Sequence, residues 1–87
     1  MKIKDGFMLR EVAGKWVVVP LAERVVEFND IMTLSESGAL LWKVLEKDVE
    51  EEELLQALFS EYSIDEMTAK ADVQEYISTL LEKGLIE

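Results

Sequence analysis

An α+β domain, with a three-stranded antiparallel meander followed by three helices, is the fold class this sequence predicts, and three observations carry it. The first third holds short runs of β-branched and aromatic residues, interrupted by glycine and proline. The remainder carries apolar residues at helical spacing, with capping residues where helices should begin and a glycine where the last should end. At 87 residues the chain has room for one core and no second, so residues 1–87 are expected to form a single domain. Its helices should pack on one side of the sheet, an arrangement close in content to a winged helix-turn-helix.

The strands are expected at Phe7 to Ala13, Trp16 to Val19 and Arg24 to Phe28, with breaks at Gly14-Lys15 and at Pro20 to Glu23. The middle strand pairs on both sides, and its consecutive Val17, Val18 and Val19 suit a strand covered on both faces. Pro20 cannot donate to a ladder and ends it.

The first helix should run from about Glu36 to Glu46, capped by Ser35, with Ala39, Leu41, Trp42 and Leu45 as its apolar face. Gly38 lowers helix propensity there, and its expected use is close approach of the helix to the sheet. The second is expected to open at Asp48 as N-cap, with Glu50 to Glu53 near the positive end of its dipole and Leu54, Leu55, Leu58 and Phe59 as its buried stripe. The third runs from about Asp65 to Lys83, buries Ala69, Val73, Ile77, Leu80 and Leu81, and stops at Gly84. Leu85 and Ile86 then fold back as an apolar clasp.

Composition removes several function classes. There is no cysteine, so neither a disulfide nor a thiolate metal site is available, and there is no histidine to shuttle protons or ligate metal. With 19 acidic and 9 basic residues the formal charge is −10, which repels phosphate backbones, so no nucleic-acid partner is expected. The third helix carries Asp65, Glu66, Asp72, Glu75 and Glu82 against Lys70 and Lys83, the opposite of a DNA-recognition helix. No stretch is apolar enough for a signal peptide or membrane span, and a cytoplasmic location is expected. The acidic run at Glu50 to Glu53 is not a metal site, because consecutive helical side chains point in different directions. Nothing else resembles a catalytic pair, and no enzyme activity, metal or cofactor is expected.

The third expected strand is the informative one. As the edge of a meander it leaves one row of backbone groups unpaired, with Arg24 and Glu27 as charged gatekeepers around Val25, Val26 and Phe28. Such an edge is either covered by the molecule or a second copy, or open to an extended peptide that adds a strand.

The ordered pattern Phe7 to Val12 with Gly14, the valine-rich strand, Phe28-Asn29, and then Leu34-Ser35-Glu36-Ser37-Gly38-Ala39 with Leu41-Trp42 resembles the PqqD-like family, also called RiPP recognition elements. Glu53 to Leu58, Asp72-Val73 and Leu80 through Ile86 extend the likeness over nearly the whole chain. The resemblance implies a winged-helix-like peptide chaperone that does no chemistry. It binds the leader of a ribosomally synthesised precursor peptide as an added strand and presents it to a tailoring enzyme, often a radical SAM protein. Carried onto this sequence, the cleft falls on Val25, Val26, Glu27 and Phe28, faced by Lys70, Val73, Gln74 and Ile77. The particular features of members dedicated to pyrroloquinoline quinone are absent, which points to a different peptide product. A tendency to homodimerise is also expected, through the second face of the valine-rich strand.

Overall fold

The computed structural model describes residues 1–21 and 32–87. Three strands, β1 (Phe7–Val12), β2 (Lys15–Pro20) and β3 (Met32–Leu34), form an antiparallel sheet in the order β1-β2-β3. Three helices follow: α1 (Glu36–Val44), α2 (Glu51–Glu61) and α3 (Glu66–Glu82).

The β1–β2 register pairs Val12 with Lys15, so Ala13 and Gly14 form the whole connection. Both have positive φ, 52° and 78°, as the tight hairpin turn that matches strand twist demands. Glycine is at ease there, whereas alanine is held in a region that L-residues with a Cβ seldom occupy. On the other side of β2, Trp16, Val17 and Val18 face Leu34, Thr33 and Met32. The strand beside β2 among the described residues is therefore Met32–Leu34. The expected strand at Arg24 to Phe28 lies outside the described residues.

Alternation along the strands sorts side chains by face. Phe7, Leu9, Val18, Met32 and Leu34 turn toward the helices and pack on the core, where Phe7 meets Trp42 edge-on with centroids 6.5 Å apart. The opposite face carries exposed Met8 and Val12, with Val17 and Val19 half-buried, so that side of β2 is only partly covered.

The helices start and stop for local reasons. Ser35 Oγ accepts from the Gly38 N–H at 3.1 Å and caps α1. At α2 the expected cap is corrected: Glu50 is the N-cap residue, and its N–H donates to the Glu53 carboxylate at 2.9 Å. Asp48 instead accepts from the Met1 ammonium at 2.9 Å. Asp65 caps α3, accepting from the Thr68 N–H at 3.2 Å and from its hydroxyl at 2.6 Å. At the other end Gly84 has φ 74°, and the Leu85 and Gly84 N–H groups donate back to Leu80 and Leu81, a glycine-terminated C-cap.

Trp42, Leu45, Leu54, Val73 and Leu80 are the largest fully buried side chains and mark the centre of the core. The ends of the chain lace it shut. Ile3 donates to Leu45, Lys4 to Leu85 and Glu87 to Lys2, and Ile3 bridges Ile86, the clasp expected from Leu85 and Ile86. Two expected core residues differ. Phe59 is 37% exposed and Leu81 56% exposed, because each lies on the flank of its helical stripe, facing away from the neighbouring element. Among the described residues no helix is long and apolar enough to cross a membrane.

Replacing Ala13 by asparagine, which tolerates positive φ, should raise stability by up to about 1 kcal/mol in urea denaturation. Asp65 gives a pH test. The Thr68 hydroxyl and then the Thr68 N–H hold its carboxyl below the ordinary value of 3.8. A depressed folded pKa contributes stability above the unfolded value and loses it as pH falls through the folded one. Asp65→Ala should therefore be less stable than the parent at neutral pH, with the gap closing as the solution is acidified below 3.8.

Candidate functional site

An open groove of about 980 Å³ lies between β3, the first turn of α1 and one face of α3, closed at one end by the α2–α3 connection. Leu41, Leu58 and Leu80 form its apolar floor, and Met32, Thr33 and Leu34 border one side. Asp72, Glu75, Tyr76, Thr79 and Lys83 border the other. Their spacing of three and four residues puts them on one face of α3. Among the described residues β3 has β2 on one side and no strand on the other, so this groove runs beside a sheet edge.

Gly38 is where the walls meet. Its carbonyl accepts a 2.7 Å hydrogen bond from the Tyr76 hydroxyl, joining the first turn of α1 to the middle of α3. A Cβ at Gly38 would stand 3.3 Å from Ser35 Oγ, 3.4 Å from Leu34 Cβ and 3.5 Å from Tyr76 Cε1. The close approach expected from this glycine is therefore present, and it serves β3 and α3 together. Burial of the Tyr76 phenol pushes its pKa well above 10.0.

Near the far end of α1, Lys43 Nζ lies 4.4 Å from the centroid of the Trp16 ring. Trp16 is half-buried on β2 and presents a ring face to this cation.

The candidate residues from the sequence fall in three places. Val25, Val26, Glu27 and Phe28 lie outside the described residues. Val73 is 0% exposed and belongs to the core, with Ile77 half-buried beside it. Lys70 and Gln74 are exposed, and Lys70 pairs with Glu66 at 3.3 Å. None of these four helical residues borders the groove. At about 100° per residue, Lys70, Gln74 and Ile77 lie on one side of the buried Ala69–Val73–Leu80 stripe, and Asp72, Tyr76 and Thr79 lie on the other. Tyr76 and the β3 residues were not singled out from the sequence. The signal for Tyr76 was its position three residues after Val73 and four before Leu80, on the flank of the stripe.

Comparison with known proteins decides the family. The sequence profile described as "Coenzyme PQQ synthesis protein D (PqqD)" matches residues 15–86. The chain belongs to the PqqD family. No curated protein matches. Among solved structures, one described as "TbiB1 in Complex with the TbiA(beta) Leader Peptide" is 28% identical, with a TM-score of 0.78, covering 100% of this chain and 95% of that one. A second, "Lasso peptide synthetase B1 complexed with the leader peptide", shares the fold at 18% identity and a TM-score of 0.74, covering 97% and 93%. These matches agree with the three antiparallel strands and three helices expected of the PqqD-like chain.

Tyr76→Phe removes the bond to Gly38 and should cost about 1 kcal/mol at neutral pH. The raised phenol pKa adds a sign: the contribution is present below the unfolded value of 10.0 and is lost as pH rises above it. Stability of the parent should accordingly fall more steeply than that of Tyr76→Phe between pH 10 and pH 12, read by urea unfolding.

Proposed function

We propose that this chain binds the leader segment of a ribosomally synthesised precursor peptide by strand addition at β3, in the groove walled by α3, and presents it to a tailoring enzyme. The observation that carries the reading is the juxtaposition, among the described residues, of a sheet edge with an apolar-floored groove. An extended peptide there gains main-chain hydrogen bonds from the edge and side-chain pockets from the groove. Family membership supports it, as does the 28% identity to a protein described in complex with a leader peptide.

On this reading β3 supplies main-chain partners through Met32–Leu34, and Tyr76 and Thr79 replace Lys70, Val73, Gln74 and Ile77 as the helical contacts. Val25, Val26, Glu27 and Phe28 stay in the proposal through the family resemblance alone. The role is binding without chemistry, and the enzyme it serves is proposed to be of the radical SAM class or another modifying class. Self-association through the outer face of the sheet is a compatible proposal, supported by exposed Met8 and Val12 beside half-buried Val17 and Val19.

An amide-resolved NMR titration with the leader peptide encoded beside this gene tests the reading. Shifts are expected at Met32 to Leu34, at Gly38 and along Asp72 to Thr79. Saturable binding that leaves those amides unmoved would remove strand addition at β3.

A further inference from the structure

We infer that the groove selects leader segments carrying a lysine or arginine beside Asp72 and Glu75, with a carboxylate further along the segment opposite Lys83. The inference rests on the groove being the leader site and says which leaders it takes.

The side chains of α3 that face the groove are unevenly charged. Asp72 and Glu75 border its first half and Lys83 its last, with Tyr76 and Thr79 between. Elsewhere on the surface Lys70 pairs with Glu66 at 3.3 Å, and the Met1 ammonium with Asp48 at 2.9 Å. Among the described residues no ion pair is made by Asp72, Glu75 or Lys83. Asp72 and Glu75 stand three residues apart on one helical face, so two like charges border the same stretch of groove and a cation between them relieves their repulsion. The Tyr76 hydroxyl is turned inward to Gly38 and is committed there, which leaves the carboxylates as the polar groups on that stretch of the helix wall.

Charge over the whole chain acts in the same direction. A molecule of net charge −10 attracts basic segments and repels acidic ones, so a leader with a basic stretch is favoured from first encounter. Lys83 sets the polarity. From Asp72 to Lys83 the helix rises about 16 Å. An extended peptide covers that length in about five residues. A basic and an acidic side chain about four to six residues apart would therefore meet both ends of the wall.

The test selects peptides from a displayed random 15-mer library on the whole protein, on the charge-reversed Asp72→Lys/Glu75→Lys double variant, and on the neutral Asp72→Asn/Glu75→Gln double variant. Both positions are exposed, so the variants should keep the fold, which circular dichroism checks. Peptides selected on the parent should be enriched in lysine or arginine at one aligned position, and the charge-reversed variant should replace it with aspartate or glutamate. A parent-selected peptide should bind the neutral variant roughly three- to tenfold more weakly, as expected for losing partly screened ion pairs. If all three proteins select the same charge profile, and the selected peptides shift the Leu34 and Gly38 amides, the charge selectivity is wrong and the groove reading stands. Should no peptide be enriched, or should enriched peptides leave those amides unmoved, the groove reading falls and takes the inference with it.

Discussion

The groove depends on one hydrogen bond, from the Tyr76 hydroxyl to the Gly38 carbonyl, 2.7 Å long and joining residues 38 apart in sequence. A tyrosine placed on the flank of a core stripe brings an apolar ring and a polar tip, and the tip must find a partner once the ring is covered. Here the partner is a main-chain carbonyl in the first turn of α1, which fixes the height of α3 above β3. The same turn is capped by Ser35, whose hydroxyl accepts from the Gly38 N–H. Gly38 thus holds the cap through its nitrogen and α3 through its oxygen. Its missing side chain keeps Leu34, Ser35 and Tyr76 within van der Waals reach of one point.

The packed core, which shares Leu80 with the floor of the groove, holds so small a chain together. Trp42, Leu45, Leu54, Val73 and Leu80 are fully buried and concentrate the packing between the three helices. The termini add main-chain hydrogen bonds to Leu45, Leu85 and Lys2, and pack Ile3 and Ile86 into the core. A domain of this size buries a smaller share of its surface than a large one, so tying down the ends matters more.

Most helix boundaries could be read in the sequence because their causes are local. Ser35, Asp65 and Gly84 each act within one turn of their own position, and each has the role expected of it. The cap of α2 was less legible for a physical reason. Asp48 precedes the acidic run and Glu50 opens it, and the choice between them involves the Met1 ammonium, 47 residues away from Asp48. Arg24 to Phe28 reads as a strand from its β-branched residues and lies outside the described residues, whereas Met32–Leu34, the described part of β3, runs into Ser35 and the start of α1, where periodicity does not separate a strand from the approach to a helix. The rotation of α3 was the largest gap at the site. Periodicity located its buried stripe, but both flanks of that stripe satisfy the same pattern, and only packing against β3 and Gly38 selects the flank bearing Tyr76.

Affinity and selectivity come from different parts of such a groove. Main-chain pairing along a sheet edge is nearly blind to sequence, because every residue but proline offers the same donor and acceptor. An apolar floor of Leu41, Leu58 and Leu80 rewards buried area and discriminates mainly by size and shape. Neither separates one extended apolar segment sharply from another. Discrimination then falls to the rim, where an unmatched charge loses part of its hydration without gaining a partner. Rim charges are screened and individually weak, so a binder built this way holds its peptide moderately and releases it. That balance suits the hand-over of a peptide proposed for this chain.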